Sequence, residues 1–264
     1  MGAKARLDSE LVRRGLARSR EHAQALVDSG RVRVGGMVAT KSATAVDADA
    51  SVAVQDLAEP DYVSRGGSKL AGALDAFKGP AVAGTRCLDA GASTGGFTDV
   101  LLQRGAGEVV AVDVGYGQLA WTLRTDERVR VFERTNARTL TAADIGGVVD
   151  LVVGDLSFIS LRLVLPALVA CVRQDGDMVL LVKPQFEAGR GDVGKGGVVR
   201  DLDVRSAAVR GVAAAASGLG WGTAGLAVSP LPGPAGNVEF FLWLRTDAPA
   251  LTDAAVAVTV GTTP

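Results

Sequence analysis

Residues 87–98, Cys-Leu-Asp-Ala-Gly-Ala-Ser-Thr-Gly-Gly-Phe-Thr, decide the fold of this chain. A hydrophobic strand runs here into a glycine-rich turn and then into a helix. Glycines let a ligand approach the backbone closely, and the first turn of a helix offers free N–H groups. The stretch therefore predicts the first strand–turn–helix unit of a nucleotide-binding α/β domain.

The spacing of the glycines differs from the dinucleotide fingerprint G-x-G-x-x-G. Asp89 lies two residues before the first glycine, where a carboxylate would repel a pyrophosphate but suits the sulfonium and amino group of S-adenosylmethionine. We therefore expect a site for this methyl donor. The residues of the turn expected to bind it are Asp89, Gly91, Ala92, Ser93, Gly95, Gly96 and Phe97.

A second carboxylate follows the next hydrophobic strand. Residues 109–112 are Val-Val-Ala-Val, and Asp113 comes directly after them. A carboxylate at the tip of a second strand can accept hydrogen bonds from both ribose hydroxyls of the donor. Asn136 and Ala137, after the third strand, are placed for the adenine edge. Structural alternatives remain, because Asp113 can cap the following turn and Asn136 can be a turn residue.

Strands and helices alternate in the chain beyond residue 60. Such alternation indicates parallel βαβ units. We therefore predict an α/β fold with a doubly wound, Rossmann-like sheet of seven strands, typical of methyltransferases. The strand candidates are residues 85–90, 109–112, 129–132, 151–153, 178–182, 226–228 and 240–244.

The first 58 residues predict a separate, small α+β domain. Asp8 or Ser9 can cap a short helix, and a second helix follows over residues 20–29. Short alternating strands come next, with the turn pair Gly35-Gly36 between two of them. We place this domain at residues 1–58.

The remaining boundaries follow from changes in composition. A proline among polar residues marks a linker at residues 59–65. The main domain then covers residues 66–246. The last residues, 247–264, are polar and rich in small side chains, so we expect a partly disordered tail.

The charges are divided unevenly between the two ends of the chain. Residues 1–41 carry nine basic and four acidic side chains, a net charge of +5, whereas residues 42–264 carry a net charge of −6. This asymmetry favours contact between the N-terminal domain and a polyanion, although a solvated helix surface is the alternative.

Composition excludes several classes of protein. With 264 residues, 48% of them hydrophobic and 22% charged, the chain is globular. It has no apolar run near the 18 residues of a membrane span and no apolar signal segment at its start. Cys87 and Cys171 cannot form a disulfide framework, and no zinc-ligand spacing occurs. We therefore expect a cytoplasmic protein without a metal.

One motif is misleading. Residues 189–195 fit the start of a phosphate-binding loop, G-x-x-x-x-G-K, but Gly196 stands where Ser or Thr would hold Mg²⁺. We interpret residues 187–199 as a glycine-rich loop that can close over a substrate.

Charged residues stand at the ends of the predicted strands, where open α/β sheets bind their ligands. Asp155 follows the fourth strand, Lys183 ends the fifth, and Glu239 opens the last. Lys69 lies just past the linker. A lysine that ends a hydrophobic strand is unusual, and its structural alternative is an ion pair.

Lys69, Asp155, Lys183 and Glu239, in this order around a donor-binding turn, resemble the K-D-K-E tetrad of the FtsJ-like RNA ribose 2′-O-methyltransferases. Residues 6–36 resemble the small S-four RNA-binding domain of rRNA-modifying enzymes. Together with the motifs VSRGGSKL, DLSFISL, LVKPQFE and GPAGNVEFFLWL, the chain is similar to the TlyA family throughout residues 5–246. The resemblance implies methylation of cytidine ribose in rRNA of one or both ribosomal subunits.

The chemistry suits that implication. A ribose 2′-OH is a poor nucleophile and must lose its proton as it attacks the sulfonium methyl. We expect Lys183 to accept this proton or to orient the hydroxyl. A free lysine, with a pKa of about 10.4, is protonated. Burial and the nearby Lys69 would lower that pKa, whereas Asp155 and Glu239 would oppose the shift and orient the lysine and the ribose.

Basic side chains are the expected RNA contacts, since phosphate contacts fix the register of an RNA without reading its bases. The expected contacts in the small domain are Arg6, Arg18, Arg20, Arg31, Arg33 and Lys41, and those near the catalytic face are Arg65, Arg134 and Arg138.

Two other functions stay open at this point. TlyA proteins also carry the label haemolysin, but a membrane-acting cytolysin would need a span or a long amphipathic basic helix. A non-catalytic ribosome-binding factor would be indicated by loss of the tetrad, and all four residues are present.

Overall fold

A computed structural model describes residues 4–28, 30–47, 49–54, 62–189 and 191–263 of the chain. The chain divides into two compact units, Met1–Arg65 and Gly66–Pro264. Part of the predicted linker, residues 59–61, lies outside the described residues.

The first unit holds two short helices and small sheets around an apolar core. The first helix begins at Leu7, so Asp8 lies in its first turn and does not cap it. Leu7, Leu11, Leu26 and Val32 are fully or almost fully buried in this core. The elements are β1 (Ala5–Arg6), α1 (Leu7–Arg13), α2 (Arg20–Asp28), β2 (Val32–Val34), β3 (Met37–Val38), β4 (Ala45–Val46) and β5 (Val52–Val54).

In the second unit, strands and helices alternate as the hydrophobic pattern predicts. A short 3₁₀ turn covers Ala137–Thr139. The elements are α3 (Arg65–Phe77), β6 (Arg86–Ala90), α4 (Gly96–Gln103), β7 (Glu108–Val112), α5 (Trp121–Arg124), β8 (Val129–Phe132), β9 (Val149–Gly154), α6 (Leu161–Cys171), β10 (Val172–Val182), α7 (Pro184–Glu187), α8 (Leu202–Gly218), β11 (Gly222–Val228), β12 (Phe240–Arg245) and α9 (Asp253–Gly261).

The seven strands of this unit form one sheet in the order β11-β12-β10-β9-β6-β7-β8. Strands β10, β9, β6, β7 and β8 run parallel, and β12 is antiparallel to both β10 and β11. Because both faces of the central strands are buried, these strands are continuous hydrophobic runs. The prediction of an α/β fold with a doubly wound seven-stranded sheet is confirmed.

The C-terminal segment differs from its prediction. It was expected to be partly disordered, but residues Asp253–Gly261 form α9. The side chain of Thr252 accepts a hydrogen bond from the backbone N–H of Ala255 and so caps this helix. Val256 and Val260, one turn apart, are buried in the main core. Val256 and Val260 therefore form a short apolar stripe on one face of this helix, whereas Val258 between them is exposed.

Candidate active site

A cleft of about 460 Å³ opens where β6, β7, β8 and β9 end. The carboxyl ends of parallel strands meet at one edge of a sheet, so residues far apart in the chain line the same space. The lining comes from the segments after each strand. Its residues are Gly91, Ser93, Val112, Asp113, Val114, Gln118, Thr135, Asn136, Ala137, Arg138, Asp155, Leu156, Ser157, Phe158, Ile159 and Val164.

The glycine-rich turn reaches the cleft through Gly91 and Ser93. Gly91 has a φ of +87°, and a Cβ atom at this position would lie 2.7 Å from the backbone oxygen of Asp155. The turn therefore requires glycine both for its backbone conformation and for its close approach to the segment after β9.

Asp89 lies behind the cleft and is fully buried. Its Oδ2 atom accepts a hydrogen bond of 2.7 Å from the hydroxyl of Thr98, whereas Oδ1 has no hydrogen-bond partner among the described residues. Burial raises the pKa of Asp89 to about 7, and the charges of Asp155 and Asp113 add to this shift. Of the turn residues predicted to bind the donor, Gly95, Gly96 and Phe97 also lie outside the lining, and Ala92 lines a smaller neighbouring pocket.

Asp113 lines the cleft and also holds its own turn. Its Oδ2 atom accepts a hydrogen bond of 2.8 Å from the backbone N–H of Ser93, and its Oδ1 atom accepts one of 2.6 Å from that of Gly115. Asn136 likewise has two roles, because its side-chain oxygen accepts a hydrogen bond of 3.0 Å from the backbone N–H of Arg138. Asp113 and Asn136 therefore both stabilise their own turns, as the structural alternatives predicted, and both also line the cleft.

The four tetrad residues form two ion pairs. The Nζ atom of Lys183 lies 2.5 Å from Oδ1 of Asp155, which lines the cleft. The Nζ atom of Lys69 lies 2.6 Å from Oε2 of Glu239, and their side chains are only 6% and 1% exposed. We expected Lys69 to act directly on Lys183, whereas the structure places each lysine against its own carboxylate.

Strand register explains why these residues meet. In the antiparallel pair of β10 and β12, Val182 lies opposite Phe240, which brings the neighbouring residues Lys183 and Glu239 to the same edge. In the parallel pair of β9 and β10, Gly154 lies opposite Leu180. Asp155 therefore ends its strand close to the lysine that ends the next.

Three residues of this edge were not predicted from the sequence. The hydroxyl of Ser157 accepts a hydrogen bond of 2.8 Å from Nζ of Lys183. The side-chain amide of Gln185 donates one of 3.5 Å to Oε1 of Glu239. Phe158 is 92% exposed at a φ of +63°, and its ring centroid lies 5.2 Å from that of Phe186. The position of a hydroxyl residue two places after Asp155 was the sequence signal available for Ser157, whereas the backbone conformation of Phe158 cannot be read from the sequence.

The predicted RNA contacts fall in both units. In the first unit, Arg6, Arg18, Arg20 and Lys41 are exposed, and Arg31 and Arg33 are half-buried; Arg65 opens α3. In the second unit, Arg138 lines the cleft. The guanidinium of Arg134 lies 4.4 Å from the centroid of the Tyr116 ring, a cation–π contact.

The loop before the last strand is tied to the glycine-rich segment. Asn237 is buried, its side-chain oxygen accepts a hydrogen bond of 2.9 Å from the N–H of Val199, and its amide donates one of 2.8 Å to the carbonyl of Gly197. Residue 190 of the glycine-rich segment lies outside the described residues.

Among the residues that the structure describes, no group of His, Cys, Asp and Glu side chains could hold a metal ion. In the same part of the chain, no helix is long and apolar enough to span a bilayer.

Comparisons with known proteins agree with this geometry. Residues 62–246 match the family model of the FtsJ-like methyltransferases, and residues 5–52 match that of the S4 domain. The chain is 63% identical to the 16S/23S rRNA (cytidine-2'-O)-methyltransferase TlyA of Mycobacterium tuberculosis, over 93% of this chain and 91% of that relative. It is 39% identical to Hemolysin A of Brachyspira hyodysenteriae, over 89% of this chain and 97% of that relative. A solved structure of a hemolysin-named protein from Streptococcus thermophilus has a TM-score of 0.77 at 40% identity, with 99% of this chain and 96% of that chain covered.

Proposed function

The chain belongs to the FtsJ-like methyltransferase family, and on that premise we propose that it transfers a methyl group from S-adenosylmethionine to a cytidine ribose 2′-OH in ribosomal RNA. One observation carries the proposal: the amine of Lys183 lies 2.5 Å from Asp155, at the edge of a cleft formed by the strand ends. The name of the TlyA relative gives the nucleoside and the RNA class.

The residues of the cleft fit the methyl donor. Asp113 offers carboxylate oxygens for ribose hydroxyls, and Asn136 and Ala137 lie at the same opening for the adenine. Gly91 allows close approach of the backbone. Asp89 supplies a buried carboxylate behind this turn with one oxygen that lacks a hydrogen-bond partner among the described residues. When bound, S-adenosylmethionine supplies a methyl group on a positively charged sulfur.

Lys183 is the group placed to take the proton of the 2′-OH. The O–H bond would break towards Nζ as the hydroxyl oxygen bonds to the methyl carbon, and the bond from that carbon to the donor's sulfur would break with its electron pair left on sulfur, so that S-adenosylhomocysteine is released. A lysine that accepts this proton must first be neutral. The hydroxyl of Ser157 can accept a hydrogen bond from the ammonium form or donate one to the neutral amine, so it holds Lys183 in either state.

Asp155 and the second ion pair orient the reacting groups. Asp155 faces both the cleft and Lys183 and so fixes the amine beside the acceptor hydroxyl. Lys69 and Glu239, joined to this edge through Gln185, support the strand ends from which Lys183 projects. Acceptor and methyl group have to lie in line, so much of the rate would come from positioning.

The basic residues of both units would hold the RNA. An S4 domain with six basic side chains predicted to contact phosphates supports an RNA substrate, and Arg134 and Arg138 lie at or near the cleft. The exposed ring of Phe158 is available to stack on an unpaired base. We infer that the protein works in the cytoplasm, where ribosomal subunits are found.

Transfer of a tritiated methyl group to purified ribosomal subunits tests the proposal. We expect label in rRNA, and nuclease mapping should place it on the 2′-oxygen of a cytidine. Separate reactions with small and large subunits identify the substrate. Absence of label with both subunits, or label on a base, would contradict the proposal. A leakage assay with dye-loaded liposomes tests the cytolysin alternative in parallel.

A further inference from the structure

Asp8 is a buried carboxylate between two exposed arginines of the first unit. Its Oδ2 atom lies 2.7 Å from Nη2 of Arg6 and 3.3 Å from Nη2 of Arg20. The side chain of Asp8 is only 4% exposed, whereas those of Arg6 and Arg20 are 51% and 59% exposed. The acid is therefore covered by protein, and the two cations face solvent in front of it.

The backbone around Asp8 is held from several sides. Its N–H donates a hydrogen bond of 3.0 Å to the carbonyl of Ser42, and that of Leu7 donates one of 2.8 Å to Thr44. Oδ1 of Asp8 accepts a hydrogen bond of 2.7 Å from the N–H of Ser9. The carboxylate consequently sits at the point where β1, α1, α2 and the segment next to Lys41 meet.

The geometry leaves the arginines able to bind an anion. Arg6 donates to Asp8 through Nε and Nη2, and Arg20 through Nη2. A guanidinium has five N–H donors in a planar fork, so each arginine keeps further donors for a phosphate. Two cations around one acid also retain a net positive charge.

We propose that Asp8 is a positioning residue that holds Arg6 and Arg20 as a paired clamp for RNA phosphates. Long arginine side chains lose rotamer entropy when they bind, and a carboxylate that already fixes them reduces this loss. The proposal rests on the proposed function, since it assumes that the first unit binds ribosomal RNA.

The alternative hypothesis is that Asp8 only stabilises the fold, and that its negative charge weakens the attraction of the first unit for RNA. The pKa of Asp8 is held below its ordinary value, chiefly by the hydrogen bond from Arg6, so the acid is ionised when RNA binds. A simple charge count then predicts that Asp8→Asn strengthens RNA binding, because one negative charge is removed. If Asp8 positions the arginines, Asp8→Asn should weaken RNA binding. The two hypotheses therefore predict opposite changes in RNA affinity.

Glu10 provides a matched control on the same helix. It is also buried, and its Oε1 atom lies 2.6 Å from Nη2 of Arg13 and 2.6 Å from Nε of Arg14. These two arginines are not among the predicted phosphate contacts. Glu10→Gln removes the same charge from the same helix, so it reports the effect of charge without loss of the clamp.

The test measures the affinity of the full-length protein for purified small and large ribosomal subunits over a range of NaCl concentrations. We expect Asp8→Asn to weaken binding about tenfold and to lower the slope of log K against log[NaCl] by about one, since about one phosphate contact is lost. At saturating RNA, kcat should equal that of the wild type, so the loss appears in KM. Glu10→Gln should bind as well as the wild type or better.

A variant that already lacks both arginines separates a positioning role of Asp8 from a general loss of folding. In the Arg6→Ala/Arg20→Ala protein, adding Asp8→Asn should cause no further loss of affinity, because Asp8 then has no clamp to hold. An equal further loss in this background, or tighter binding by Asp8→Asn alone, would overturn the proposal. A wild-type protein that binds neither ribosomal subunit would instead refute the proposed function.

Discussion

Lys69 and Glu239 are 170 residues apart in the chain, yet the amine lies 2.6 Å from the carboxylate. Both side chains are almost completely buried. An ion pair in such a place contributes little net stability, but a single buried charge without its partner is costly. Loss of either partner should therefore destabilise the fold and disturb the site at the same time.

Replacement of one partner of this pair should destabilise the protein strongly. We expect Lys69→Met to lower the free energy of unfolding by about 3–5 kcal/mol, because Glu239 is left as an unpaired buried charge. The double variant Lys69→Met/Glu239→Leu should recover most of this stability and still lack transferase activity. Urea unfolding and methyl transfer measure the two effects. Equal destabilisation by the single and double variants would contradict this account.

Lys183→Ala should abolish methyl transfer, with a loss of about 10²–10⁴-fold in kcat, the range typical of a lost acid–base group. Binding of S-adenosylhomocysteine, measured by calorimetry, should be little changed. Lys183→Arg is the matched control, since it retains a cation for Asp155 but cannot be deprotonated. Near-normal turnover by either variant would exclude Lys183 as the base.

Ser157→Ala should reduce kcat about tenfold and change the pH profile of kcat, because the amine of Lys183 loses a hydrogen-bond partner. The KM for RNA should stay close to that of the wild type. Ser157→Thr keeps a hydroxyl at this position and should restore most of the activity. A variant without the hydroxyl that keeps the wild-type pH profile would show that Ser157 does not act on Lys183.

Gly91→Ala should impair both folding and cofactor binding. A Cβ atom at Gly91 would lie 2.7 Å from the oxygen of Asp155, whereas one at Gly84, where φ is +74°, meets nothing within 4 Å. Gly84→Ala therefore carries only the backbone penalty of about 1–2 kcal/mol. We expect Gly91→Ala to lose more stability than Gly84→Ala and to bind S-adenosylhomocysteine far more weakly. Urea unfolding and calorimetry compare the two variants, and equal behaviour would argue against close packing at the turn.

Asp89 should make the stability of the ligand-free protein depend on pH. Burial raises its pKa from 3.8 to about 7, so between these values the folded state binds more protons than the unfolded state. The contribution of this group to stability is therefore present at low pH and lost as the pH rises through about 7. Asp89→Asn removes this titration. Relative to the wild type, the variant should gain stability as the pH rises from about 4 to about 7 in urea unfolding, with a constant difference at higher pH. A difference that stays constant with pH would contradict the assignment.

The hydrophobic pattern predicts most of the fold because the central strands are buried on both faces. All seven strand candidates from residue 85 onward are strands of one sheet. The prediction of a partly disordered tail was wrong. Two valines, Val256 and Val260, are too few to indicate a helix in the sequence, and they are buried only because the main core lies against them.

The sequence could predict that the four tetrad residues lie near one another, but not which of them form ion pairs. Asp155, Lys183 and Glu239 adjoin strand ends, which the sequence pattern reveals, whereas Lys69 lies in α3. Which lysine pairs with which acid depends on the register of β12 between β10 and β11, a long-range property. The burial of Asp89 behind the turn likewise depends on how α4 packs against the sheet.

The position of β12 has a consequence for how the protein is made. This strand is the last of the sheet to be synthesised, yet it lies inside the sheet, between β10 and β11. Until residues 239–245 have left the exit tunnel, the amine of Lys69 lacks its acid and β10 has an open edge. The sheet and the ion pair of Lys69 can therefore be completed only after the last strand has been inserted between two strands that are made before it.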